Sequence, residues 1–212
     1  MVGIAGPNGA GKTSLLRAIG GLAPLRRGRI TFEGRILREG GSTKVATRSN
    51  VRAGVVLVPE GRRLFAGLTV EDNLRFGAYL VGSSDVVTDL ARIYSIFPKL
   101  AERRLQDVNT LSGGEKQMVA IGRGLMARPK LLMIDEMSLG LAPIVVHELL
   151  EALGQLNLET GLTFILVDEG LARLGPKVSR VVFLSRGRIQ AVLSPAELQE
   201  GAANLYLSDQ VD

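Results

Sequence analysis

The chain has 212 residues, a length that suits one domain with a substantial core. It is 46% hydrophobic and 22% charged, which excludes a disordered chain, and it has no Cys, which excludes a disulfide framework and a cysteine metal site. The net charge of +5 raises the question of nucleic acid, but the arginines fall in scattered pairs and no Trp is present; without a base-stacking platform, no nucleic-acid partner is expected.

Residues 1–5 read as a strand that runs directly into a glycine-rich loop and then a helix over 12–20. They are too short for a signal-peptide core, and no stretch approaches the ~18 apolar residues of a spanning helix. The mean hydropathy of +0.21 nevertheless favours some apolar surface covered by partners. Glycine is abundant, 26 of 212 residues against a typical ~7%, and it is clustered. Gly6-Pro7-Asn8-Gly9-Ala10-Gly11-Lys12-Thr13 fits G-x-x-x-x-G-K-[ST] where strand meets helix. Glycines let successive amides converge on phosphate oxygens, and the helix dipole adds positive potential. Lys12 would reach the β- and γ-phosphates and the Thr13 hydroxyl a Mg²⁺ ion.

Val55–Val58 is a second buried strand, stopped by Pro59. Over 69–110 the pattern changes to helices without strands. Thr69 with Glu71 and Asp72 marks a helix start, and another helix over 85–96 breaks at Pro98. Leu111-Ser112-Gly113-Gly114-Glu115 opens a further helix through a Ser112-x-x-Glu115 capping box. A cap needs no paired glycine, so the surplus glycines point to close approach by a ligand at a second anion cradle. Leu131–Ile134 then delivers Asp135 and Glu136 at a strand's carboxyl end, where α/β sheets bind ligands. Asp135 fits a Mg²⁺-linked carboxylate and Glu136 the group that polarises an attacking water. Thr163–Val167 is another buried strand, and 181–184 with 189–193 form a closing hairpin around Gly187.

The phosphate loop at 6–13, LSGGE at 111–115 and the acidic strand at 131–136 together resemble the ATP-binding subunits of ABC transporters, and Ser138 to Pro143 is similar to the loop that follows in that family. The stretches Val58-Pro59-Glu60-Gly61-Arg62-Arg63-Leu64-Phe65 and Leu68-Thr69-Val70-Glu71-Asp72-Asn73-Leu74 resemble more narrowly the smaller ATPase subunit of branched-chain amino acid importers; urea and short-chain amide importers have similar subunits. The resemblance implies a single α/β P-loop NTPase domain over 1–212, with a mainly parallel sheet and a helical subdomain at about 69–125. ATP would be held by Gly6, Pro7, Asn8, Gly9, Ala10, Gly11, Lys12, Thr13 and Ser14, and by Ser112, Gly113 and Gly114 of a facing subunit. Thr13, Asp135 and Glu60 would face Mg²⁺, and Glu136 would be catalytic. The implied partners are membrane permease subunits, a second and larger ABC ATPase (a heterodimer, with a homodimer as alternative) and, indirectly, a solute-binding protein. The implied place is cytoplasmic, on the inner face of the cell membrane.

Three departures qualify the resemblance. The family's segment before the phosphate loop, with an adenine-stacking aromatic and most of an edge β-subdomain, is missing, so a misplaced start or a shortened protein is expected. Glu169 stands where the family places a switch His, or Gln in the narrower group; a carboxylate there repels the γ-phosphate, so weak hydrolysis is expected, with Glu136 still needed. His147 reads as an ordinary helix residue, not a stand-in. Met137 replaces the Pro that usually follows the catalytic Glu, a change expected to affect only loop stiffness. The rivals are a degenerate, non-hydrolysing ABC subunit and a non-transport ABC ATPase. The latter would carry a coiled-coil insertion or tandem domains, which the chain lacks.

Overall fold

The computed structural model describes residues 1–41, 45–80, 82, 85–168, 177–194 and 196–197. In chain order, β1 (Val2–Ala5) and α1 (Lys12–Ile19) are followed by β2 (Arg29–Phe32), β3 (Arg35–Glu39), α2 (Thr47–Arg52) and β4 (Val55–Val58). Four helices follow: α3 (Val70–Gly77), α4 (Val86–Ile96), α5 (Pro98–Glu102) and α6 (Gly113–Leu125). Then come β5 (Leu131–Ile134), α7 (Pro143–Thr160), β6 (Thr163–Val167), β7 (Arg180–Ser185) and β8 (Arg188–Leu193).

Six strands form one sheet in the order β4-β5-β6-β1-β7-β8. All neighbours are parallel except β7 and β8. The unbroken apolar run of β5 has a direct cause. Leu132 and Ile134 join the core on one face with Leu149, Leu153 and Phe164, while Leu131 and Met133 join Leu16, Ile4 and Val167 on the other. A strand buried on both faces cannot alternate with polar residues.

Between β4 and β5 the described chain is helical, running through α3, α4, α5 and α6. Thr69 caps α3 in a reciprocal box with Asp72: its hydroxyl accepts the Asp72 amide at 3.1 Å and donates to Asp72 Oδ2 at 2.6 Å. The crossing of α3 and α6 is close because it is built on glycine. A Cβ at Gly77 would lie 2.0 Å from the Arg123 carbonyl oxygen, and one at Gly122 would lie 2.8 Å from Leu74 Cδ2.

Several elements escaped the reading of the sequence, α5 at the Pro98 break among them. β2 and β3 form a separate antiparallel pair, joined by Glu33 and Gly34, both at positive φ as a type I′ turn requires. Helix α2 was also not anticipated. Met137 departs from expectation as well: its side chain is fully buried and its amide donates to the Val167 carbonyl at 3.1 Å. A proline could not make that bond, so the residue pins the turn to β6 rather than merely changing its stiffness.

Candidate functional site

The parallel register brings the carboxyl ends of β1, β4, β5 and β6 to one edge of the sheet, where α/β folds bind ligands. The phosphate loop leaves β1 at Gly6, buried with φ 149°, where a Cβ would meet the Leu184 carbonyl oxygen of β7 at 1.9 Å. Gly9 and Gly11 are also at positive φ, 78° and 101°. Gly11 precedes α1 as its N-cap without a side-chain cap, so the first amides of the helix are left to another acceptor. The loop is braced from the β7–β8 turn, where the Gly187 amide donates to the Ala10 carbonyl at 2.9 Å. The Lys12 ammonium folds back across this nest, donating to the carbonyls of Gly6 at 2.6 Å and Pro7 at 3.0 Å.

At the end of β5, the Asp135 amide bonds to the Val58 carbonyl of β4 at 3.0 Å, which fixes the side chain beside the loop. Burial pushes the Asp135 carboxyl up from its ordinary value and nearby Glu60 adds to that; a hydrogen bond from the Thr13 hydroxyl and the charges of Arg17 and Lys12 work the other way. Thr13 and Glu60 thus both act on the Asp135 carboxyl, the one through a hydrogen bond and the other through its charge. The Asp135 Oδ1 is buried and finds no hydrogen-bond donor among the described residues. A buried anionic oxygen beside a hydroxyl is what a hard divalent cation would complete. Among the described residues no three His, Cys, Asp or Glu side chains form a metal cluster. Glu136 follows with φ 50°, a left-handed conformation that a β-carbon disfavours.

Ser112 caps α6 as its sequence announced: its hydroxyl accepts the Glu115 amide at 3.3 Å, and Glu115 Oε2 accepts the Ser112 amide at 2.8 Å. Burial opposes the charge on Glu115, yet bonds from Ser112 and the nearness of Arg103 and Lys99 hold its pKa below the ordinary glutamate value. The paired glycines also differ in packing. A Cβ at Gly114 would lie 2.7 Å from Val145 Cγ1 of α7, so packing gives a second reason for glycine there. At Gly113 a Cβ would make only ordinary contacts, at 3.5 Å or more.

The sequence reading missed Asp168. It is buried at the end of β6, and its Oδ2 accepts the Ser138 amide at 3.1 Å, tying the turn after Glu136 to the neighbouring strand. An acid closing a buried strand was the one signal for it. Glu169 lies outside the described residues. His147 is exposed on α7, 3.8 Å from Glu151, away from these groups.

Residues 1–138 match the family described as ABC transporter. The chain is 41% identical over 189 residues to the high-affinity branched-chain amino acid transport ATP-binding protein BraG of Pseudomonas aeruginosa, covering 89% of this chain and 78% of that protein. It is 31% identical over 186 residues to the probable branched-chain amino acid transport ATP-binding protein LivF of Archaeoglobus fulgidus, covering 88% and 77%. An ATP-binding cassette of an ABC transporter, solved in its ADP conformation, superposes with a TM-score of 0.81 at 24% identity, over 98% of this chain and 87% of that one. With the P-loop α/β fold and the order of its motifs already established, these matches place the chain in the ABC transporter family.

Proposed function

We propose that the chain binds ATP with Mg²⁺ and hydrolyses it to power a membrane importer of branched-chain amino acids or related small solutes. The observation that carries this reading is the meeting of the loop from β1 with the acids from β5, where the Thr13 hydroxyl bonds the Asp135 carboxylate. Backbone N–H groups of the loop and of the first turn of α1 bind the phosphates, and Lys12 leaves the Gly6 and Pro7 carbonyls to reach the terminal phosphates. Thr13, Asp135 and Glu60 would hold Mg²⁺, which supplies charge neutralisation for the transferred phosphoryl group. Glu136 takes a proton from the water that attacks the γ-phosphorus, and the bond to the β-phosphate oxygen breaks to leave ADP and phosphate.

Ser112, Gly113 and Gly114 of a facing ATPase, a larger homologue or a second copy, complete the phosphate cradle at the N-terminus of α6. ATP closes that interface and hydrolysis reopens it. The surface for the membrane subunit is an open groove of about 650 Å³ beside α3, lined by Leu68, Phe76, Ala78, Tyr79 and Val86. Tyr79 is 81% and Phe76 50% exposed, and Phe65 of the Glu60 loop packs on Phe76 at its edge. The groove fits an amphipathic helix from a permease's cytoplasmic loop. Among the described residues no helix is long and apolar enough to cross a membrane.

The test is reconstitution with the permeases and the second ATPase in liposomes that hold Mg·ATP. Labelled leucine uptake and phosphate release are expected to run together. Glu136→Gln is expected to leave nucleotide binding intact and to lower turnover by roughly 10²–10⁴-fold. Turnover unchanged in that variant overturns the role of Glu136, while binding without turnover in the parent chain selects the non-hydrolysing alternative raised by Glu169.

A further inference from the structure

The loop after Glu60 holds three consecutive residues at positive φ: Gly61 at 72°, Arg62 at 63° and Arg63 at 49°. A side chain disfavours that conformation, so something outside the loop must hold it. The clamp is Arg123, in the last turn of α6. Its Nη1 donates to the Arg63 carbonyl at 2.7 Å and its Nη2 to the Arg62 carbonyl at 2.8 Å. Its guanidinium lies 5.3 Å from the centre of the Phe65 ring, which is itself packed on Phe76.

Held in this way, Arg62 reaches two other elements. Its Nε donates to Gln117 Oε1 on α6 at 2.9 Å, and its Nη2 donates to the Leu139 carbonyl at 3.2 Å. Leu139 belongs to the turn that follows Glu136, and its own amide donates back to the Glu136 carbonyl at 3.3 Å. The same Nη2 lies 3.8 Å from where a Cβ on Gly113 would stand. One planar fork therefore spans the loop of Glu60, the turn of Glu136 and the helix that presents Ser112.

We propose that Arg62 is a positioning residue for ATP hydrolysis, fixing the Glu136 turn and the amino end of α6 relative to the Glu60 loop. The proposal rests on the ATPase reading and adds to it the physical link between its separate parts. Arg62 acts through its bonds to Leu139 and Gln117. A lysine cannot replace it, because one ammonium lacks the fixed fork that faces two acceptors at once. When a membrane subunit presses on the Glu60 loop, the displacement reaches the turn of Glu136 through this side chain, without passing through the sheet.

The experiment compares the full chain with Arg62→Ala, Arg62→Lys and Gln117→Ala, reading Mg·ATP affinity, kcat and KM for ATP, melting temperature and Mg·ATP-driven association. Both Arg62 variants are expected to bind Mg·ATP as the parent does while kcat falls roughly 10- to 100-fold, the range for a small misplacement of a catalytic group. Adding Gln117→Ala to Arg62→Ala is expected to change little further, since the two share one interaction. An unchanged kcat in Arg62→Ala overturns the proposal. So does a fall in kcat matched by equal losses of affinity and melting temperature, which marks a merely structural residue. If the parent chain associates without turnover, association is the readout, and its persistence in Arg62→Ala is the overturning result. A parent chain that neither turns over nor associates removes the ATPase reading and this proposal with it, whereas parental turnover with an indifferent Arg62 removes only the proposal.

Discussion

Replacing Gly6 by alanine separates two roles that glycine plays in the phosphate loop. At Gly6, φ is 149° and an added Cβ would lie 1.9 Å from the Leu184 carbonyl oxygen and 3.0 Å from its carbon. That carbonyl cannot retreat freely, because the adjacent residue Phe183 is held in register with Ala5 across the β1–β7 ladder. The backbone conformation alone costs alanine about 1–3 kcal/mol, and loosening a backbone hydrogen bond to relieve the clash adds roughly 1–3 kcal/mol. The expected destabilisation is about 2–6 kcal/mol, and a chain of this size should then melt roughly 4–24 °C lower. Gly9→Ala is the internal comparison. Its φ of 78° is also left-handed, but nothing lies within 4 Å of its Cβ, so only the conformational cost of about 1–2 kcal/mol applies. Urea and thermal unfolding of the two variants without nucleotide read the difference directly. Equal stabilities for the two would refute the claim that β7 presses on the loop at Gly6.

Asp135→Asn is expected to stabilise the nucleotide-free chain by about 1 kcal/mol, as relief of a strained functional site commonly does, because it removes a buried charge whose Oδ1 has no donor among the described residues. The same change should abolish the Mg²⁺ dependence of ATP binding, and a variant that loses stability while keeping that dependence would contradict both halves. Acid should act on the cap of α6. Since the folded Glu115 carboxylate has a depressed pKa, its contribution is full above the unfolded value near ~4.3 and is lost as pH falls through the folded value. Glu115→Gln should therefore flatten the pH dependence of stability below about pH 4, measured by urea midpoints; an unaltered slope would show that the cap does not titrate.

What the sequence disclosed was local. The loop at 6–13, the boxes at Thr69 and Ser112, and the apolar run of β5 each carry their instructions within a few residues, and the structure places them as read. The β2–β3 pair was missed because Arg29, Arg35 and Arg38 interrupt any apolar alternation in a sheet with so little covered face; Glu33-Gly34 was the available turn signal. The packing of Gly114 was not legible because its neighbour, Val145, lies in a helix that begins about thirty residues later, and a contact of that kind has no trace in spacing. The left-handed Arg62 and Arg63 were illegible for a stronger reason. Local propensity argues against that conformation, and the bonds that hold it come from residues such as Arg123, sixty residues away.

The position of β1 bears on how the chain is made. Its two neighbours, β6 and β7, begin at Thr163 and Arg180, so both of its pairings must wait until every helix and strand in between has been made. Closure of such distant pairings is slow. Until then β1 stands as an unpaired apolar strand, open to chaperones and to mispairing, and the phosphate nest takes shape only when β6 and β7 close around it.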